Sequence, residues 1–302
     1  MIDILFPFAA DPYVMFHDGW YYATFTTYVN VQLRRARTLA ELTTAEPKVI
    51  FRPRRGTPAA NALWAPEIHR LDDSWFIYFA ADDGENENHR IFVLENNSPD
   101  PFEKQFVEKG ELLTPEYKWS IDGTPLEVKG KRYFLWSGWP GETDGRQDLF
   151  IARLLDPTLC DERRVLISKP TLDWERHGTI KVNEGPQVLI RGEHVHIIYS
   201  ASHCITDHYC LGRLTARIDS DLMNAKSWVK HPTPVFSGAN GIISPGHASF
   251  VHNHEDDRDW IVYHCARKPN ANGDRYARAQ PFTWEGDTPV FAEPLPPVGR
   301  EH

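Results

Sequence analysis

Cysteine is scarce: the four in 302 residues, at positions 160, 204, 210 and 265, show no framework spacing. A disulfide-stapled fold is therefore not expected, and the thiols suit a reducing compartment. Long apolar runs are missing as well; none reaches the roughly 20 residues of a membrane-crossing helix, so no membrane partner is expected. The opening MIDILFPFAADPY has no basic start, too short an apolar run and no cleavage-type end, and does not read as a secretory signal. The location expected from this is cytoplasmic, or secreted if a leader has been removed. Positive charge is in deficit, with 33 Lys and Arg against 42 Asp and Glu and a formal net charge of −9. Nucleic acid is a poor partner for such a chain, and the basic patch from Arg52 to Arg55 is too short to change that. Extended helical periodicity is also lacking; Val31 to Ala45 comes nearest and reads as an outer strand and loop with a helical turn.

What the chain does have is 10 Trp, 12% aromatics, and 19 Gly and 23 Pro scattered along its length. That mixture suits many short strands joined by turns, with most aromatics in the core and some free to serve as apolar platforms for sugar rings. A unit recurs five times: a polar residue beside Pro or Gly, a short strand, a tight turn and an aromatic-rich strand. The copies begin at Asp11 (DPYVMFHDGWYYATFTT), Ala65 (APEIHRLDDSWFIYFAA), Ile121 (IDGTPLEVKGKRYFLWSG), Asn183 (NEGPQVLIRGEHVHIIYSAS) and Pro245 (PGHASFVHNHEDDRDWIVYHC). Their lead polar residues are Asp11, Glu67, Asp122, Glu184 and His247. A period of about 60 residues predicts an all-β, five-bladed β-propeller in which residues 1–302 form one closed domain. The MIDILF segment is expected to pair with the last blade, and the tail from Pro294 to be loose.

In such a fold the lead residues ring one mouth of a central channel. Glycoside hydrolysis needs one carboxyl group that is protonated and one that is ionised, and Asp11, Asp122 and Glu184 offer three. Singly, a strand-start carboxylate more often caps a turn; three in register point to chemistry. A lone His247 is more often a hydrogen-bonded core residue than a ligand. His203, Cys204, His208 and Cys210 are zinc-capable, but their spacing matches no closed tetrahedral motif. The run DDGENENH from Asp82 lacks the oxygen-ligand pattern of a calcium loop and reads as solvated.

The ordered set DPYV, WAPEIH, SIDG, NEGPQV and PGHASFV resembles glycoside hydrolase family 43 along essentially the whole chain. That resemblance implies Asp11 as general base, Glu184 as general acid, and Asp122 as the residue that tunes and orients the acid. It implies that His247 lies on the axis beside a metal ion, Ca2+ or Na+, reached through water, with no organic cofactor. Arg275, nine residues before Trp284, matches an arginine that contacts sugar hydroxyls, while Phe25 and Trp64 stand next to the motifs as pocket walls. Two departures are SIDG where SIDP is common, and Ala248 where Asn is common. Segments such as LWSGWPGETDGRQDLFIA and ARAQPFTW resemble exo-acting α-L-arabinofuranosidases, which implies inverting release of arabinose from α-1,5-linked arabinan or arabino-oligosaccharides. The alternatives are a β-xylosidase of the same family and a sugar-binding propeller without catalysis; the entry motif of fructan hydrolases does not match Ala10 to Tyr13.

Overall fold

The alternating pattern of each repeat becomes a hairpin, and each hairpin grows outward into an antiparallel run of strands. A computed structural model describes residues 1–270 and 273–298. After β1 (Ile2–Phe6), the first run is β2 (Ala10–His17), β3 (Trp20–Thr26), β4 (Val31–Ala36) and β5 (Lys48–Phe51). The second is β6 (Asn61–Leu71), β7 (Ser74–Asp82), β8 (Arg90–Asn96) and β9 (Val107–Glu111). The third, β10 (Ser120–Val128), β11 (Lys131–Gly138), β12 (Arg146–Asp156) and β13 (Leu159–Ser168), is followed by β14 (Lys181–Arg191), β15 (His194–Ala201), β16 (Cys210–Arg217) and β17 (Val229–Lys230). A short parallel pairing of Arg146 with Lys181 and Gln147 with Val182 joins these two runs into an eight-stranded sheet. The fifth run is β18 (Ile243–Asn253), β19 (Arg258–Ala266) and β20 (Arg275–Pro281), with β1 added at its outer edge as expected; β21 (Thr283–Glu285) and β22 (Thr288–Val290) form a small ribbon. The described residues contain only 3-10 turns as helix, one of them in the Val31–Ala45 stretch, and no helix long and apolar enough to cross a membrane.

Turn chemistry fixes the hairpins. Asp18-Gly19, Asp72-Asp73 and Lys129-Gly130 all have positive φ at both central residues, the type I′ geometry whose twist suits a two-residue hairpin. Strand alternation then sends each run's side chains to two apolar layers. Tyr133 and Leu135 pack toward the fourth run with Val195 and Ile197, while Phe134 and Trp136 pack toward the second with Tyr78 and Ile91. Leu5, Phe6, Val14 and Tyr21 meet Val251, Trp260 and Val262, which joins the last run to the first. The first strands β2, β6, β10, β14 and β18 each pack against the next, and β18 returns to β2.

The tail is better anchored than expected. Leu295 N–H donates to Gln280 Oε1 at 3.0 Å and Val298 N–H to Asp3 Oδ2 at 3.0 Å, so polar groups of the final run hold the tail. Residues 299–302 lie outside the described residues.

Candidate active site

Every first strand carries at least one extra residue near its start, and β6 and β18 carry two. Pairing jumps between Ala10 and Tyr13, Trp64 and Glu67, Ile121 and Thr124, Glu184 and Gln187, and Gly246 and Ser249, so each strand holds a β-bulge. The bulge residues Asp11, Ala65, Asp122, Gly185 and His247 all have φ between 43° and 55°. Left-handed backbone is strained for non-glycine residues and recurs where function requires it. The bulges also revise the register of the repeat: Asp11, Asp122 and His247 occupy the bulge, Glu184 sits one residue before it, and Glu67 two residues after. Glu67 consequently lies one layer deeper, where His69 Nε2 approaches its Oε2 at 2.9 Å, Gln187 Nε2 donates to its Oε1, and Tyr13 Oη reaches His69 Nδ1 at 3.2 Å.

Neighbouring runs hold the freed bulge N–H groups. Ala65 N–H donates to Thr26 Oγ1 (2.7 Å), Gly185 N–H to Asp122 Oδ2 (2.9 Å), His247 N–H to Ser200 Oγ (2.8 Å) and Asp11 N–H to His264 Nδ1 (3.0 Å). These bonds aim the site residues into one cavity of about 300 Å³. Asp11, Trp64, Asp122, Glu184, His247 and Arg275 all line it. Phe25 does not. On β3 its neighbours Thr24 and Thr26 face the second run, so alternation turns Phe25 the other way, into the core against Phe6 at 4.8 Å between ring centroids. The expectation of Phe25 as a pocket wall is corrected accordingly.

Asp11 is surrounded by donors. Thr26 Oγ1 donates to Oδ2 at 2.6 Å, and Oδ1 lies 3.2 Å from His247 Nδ1 and 3.7 Å from Arg275 Nη1. Burial alone would raise its pKa, but His247, His264 and Arg275 outweigh that and hold the carboxyl well below the usual range. Glu184 is the opposite case: burial, helped by the Asp11 charge, pushes it up to about 7 against the pull of the Tyr209 hydroxyl and Arg275. Asp122 is raised too, by burial and by the charges of Glu184 and Asp11, although Gly185 N–H favours its charged form. Glu184 thus holds a proton toward neutrality, with Asp122 shifted in the same direction, beside a carboxylate that is shifted the other way.

Several residues in and behind the cavity escaped the sequence reading. Tyr209 Oη donates to Glu184 Oε1 at 2.8 Å, and Arg275 Nη2 points at Cys204 Sγ, 3.2 Å away. The Asp82–His89 stretch is not merely solvated. His89 is buried, 3.1 Å from Asp82, and stacks beneath Trp64 with centroids 4.0 Å apart, while Asn86 lines the cavity. A signal existed for the clamping residues: Thr26, Ser200 and His264 stand at matching places near the ends of the second strands. Nothing in the repeat marks Tyr209, which lies between units. The zinc-capable residues do not gather: Cys210 faces Ala201 O, Cys204 faces Arg275, and His208 stacks on His177.

One group here can give a proton near neutrality and another stays ionised, the two tasks that hydrolysis of a glycosidic bond sets. The chain belongs to glycosyl hydrolases family 43, whose family model matches residues 4–289. It is 39% identical over 302 residues to an extracellular exo-α-(1→5)-L-arabinofuranosidase of Streptomyces avermitilis, covering 95% of this chain and 62% of the relative. A protein of the same name from Streptomyces chartreusis is 39% identical over 272 residues, covering 88% of this chain and 82% of the relative. The crystal structure of an α-L-arabinofuranosidase from Lactobacillus brevis superposes with a TM-score of 0.93 at 35% identity, over 99% of this chain and 98% of that one. The chain thus spans less than two thirds of the Streptomyces avermitilis relative. The expected cytoplasmic location is overturned by these comparisons, since both Streptomyces relatives are named extracellular.

Proposed function

We propose that the chain is an exo-acting, inverting α-L-arabinofuranosidase that releases terminal arabinose from α-1,5-linked arabinan or arabino-oligosaccharides. Asp11 acts as base on water, Glu184 as acid on the leaving oxygen, and Asp122 tunes the acid. The observation that carries this is the split of the two carboxyls around one cavity, Asp11 held ionised and Glu184 pushed up to about 7. Trp64 and the half-buried Arg275 supply an apolar wall and a hydroxyl-binding cation. The repeated runs and the return of β18 to β2 support reading residues 1–302 as one five-bladed propeller. For the axial ion the donors are few: no group of three or more His, Cys, Asp or Glu able to hold a metal occurs among the described residues. His247 fits only a hydrated Ca2+ or Na+ held through water, and no step is assigned to it.

Proton NMR of the first sugar released from an arabino-oligosaccharide tests the stereochemistry. An inverting pair needs roughly 6.5 to 9.5 Å between carboxyls, and the inverted anomer is expected before mutarotation. A retained anomer would contradict Asp11 as base. Mixed oligomers as first products from linear arabinan would overturn exo cutting, and faster turnover of an aryl β-D-xyloside than of the aryl α-L-arabinofuranoside would favour the xylosidase reading.

A further inference from the structure

Two buried rings touch the proposed catalytic pair from behind. Tyr209, just ahead of β16, is fully buried and donates from Oη to Glu184 Oε1 at 2.8 Å. His264 on β19 is equally buried and accepts the Asp11 backbone N–H at Nδ1, 3.0 Å away. The rings lie face to face, 5.5 Å between centroids and 2° from parallel. From this geometry we infer that Tyr209 and His264 are positioning residues, one continuous brace that sets the separation and orientation of Glu184 and Asp11. The inference rests on the acid and base roles proposed above.

The surroundings are shaped to admit the brace. Gly246 pairs with His264 across the β18–β19 hairpin, and a Cβ on it would lie 2.3 Å from the Tyr209 ring. The glycine before His247 therefore leaves the space through which Tyr209 reaches its partner. Accepting the Asp11 N–H requires a lone pair on His264 Nδ1, and burial keeps this imidazole neutral by lowering its pKa to about 4. The ring serves as a fixed acceptor and stacking surface, with no proton to exchange in the working range. At the other end the Tyr209 hydroxyl favours the ionised form of Glu184, opposing burial and the Asp11 charge. The other groups facing Glu184 are Asp122 from β10, Arg275 from β20 and Cys204 from the loop after β15.

Tyr209→Phe keeps the stack and deletes the hydroxyl. The Glu184 carboxyl, followed by 13C NMR of glutamate-labelled protein and assigned with Glu184→Gln, is expected to titrate about one pH unit higher, because a hydrogen bond to the charged form is lost. The alkaline limb of kcat on an arabino-oligosaccharide should move up with it, which simple loosening of the core would not produce. His264→Phe keeps the stack but strands the Asp11 N–H, and kcat is expected to fall about 10- to 100-fold on oligosaccharide and dinitrophenyl glycoside alike, with KM little changed. If Tyr209→Phe leaves the Glu184 titration in place, the brace is overturned whatever the activity. If the titration moves while the parent cleaves no arabinofuranoside, the brace stands and the functional reading fails.

Discussion

Glu175 and Glu184 are two buried carboxyls served by one strand, and they are treated in opposite ways. Glu175 accepts from Lys230 Nζ (2.7 Å), Tyr199 Oη (2.8 Å), Asn183 Nδ2 (3.1 Å), and the N–H groups of Thr171 (2.8 Å) and Leu172 (2.9 Å). Glu184 accepts from Tyr209 alone among the described residues. Asn183 and Glu184 are consecutive on β14, so alternation directs one toward the outer network and the other into the cavity. A buried carboxylate supplied with donors acts as a structural anchor, whereas one left short of them keeps its proton and can give it away. Burial is common to both; the supply of donors separates them.

The largest expected effect is on catalysis. Glu184→Ala should lose about 10²- to 10⁴-fold in turnover of an arabino-oligosaccharide, whose leaving oxygen needs a proton, while retaining much of its rate on a dinitrophenyl arabinofuranoside. Asp11→Ala should lose both substrates together, with partial recovery in azide. Steady-state kinetics on the two substrates decide, and a reversed pattern would exchange the acid and base labels.

Glu175→Ala should show the converse: a stability loss of about 3–5 kcal/mol in urea unfolding, because buried Tyr199 and Asn183 and the half-buried Lys230 lose their common acceptor. A well-folded Glu175→Ala protein with a damaged pH profile would erase the distinction between the two carboxyls. Similar in size is Phe25→Ala, expected to cost about 3–5 kcal/mol of stability with KM unchanged, whereas Trp64→Ala should raise KM on oligosaccharides and leave stability closer to the parent. Unfolding curves and KM measured on both variants separate wall from core.

The smallest effect concerns pH. With Glu184 near 7 and Asp11 held ionised, activity should fall as pH rises through about 7 and persist well into acid. Asp122 is itself pushed toward its protonated form by burial and by the charges of Glu184 and Asp11, and Asp122→Asn should move the alkaline limb by less than about one pH unit. A large downward move would show that Asp122 is ionised while Glu184 is not.

Much of this was legible because repeats translate directly into geometry. Asp11, Asp122 and His247 open their units at a shared offset, and turn pairs such as Lys129-Gly130 announce their hairpins. What stayed hidden depends on single-residue register. A bulge adds one residue and changes which side chain faces inward, so Glu67, two residues past its bulge, belongs to a deeper layer although its strand start looks like the others. Phe25 shows the same parity from the second strand. Tyr209 lies outside every unit, and only the folded chain carries it to Glu184. The glycine in SIDG also gains a physical reason, since a Cβ on Gly123 would meet the Phe134 ring at 2.6 Å; the aromatic neighbour fills the space a larger residue would take.

The join between the last run and the first imposes an order on maturation. Asp11 is made early, yet the imidazole that takes its N–H comes from β19 and the guanidinium beside its carboxylate from the first residue of β20. A growing chain that has not passed Arg275 therefore owns this carboxylate without its guanidinium partner. Only when β1 is laid against β20, Ile2 opposite Ala279 and Phe6 opposite Ala277, does the earliest-made strand meet the last-made run.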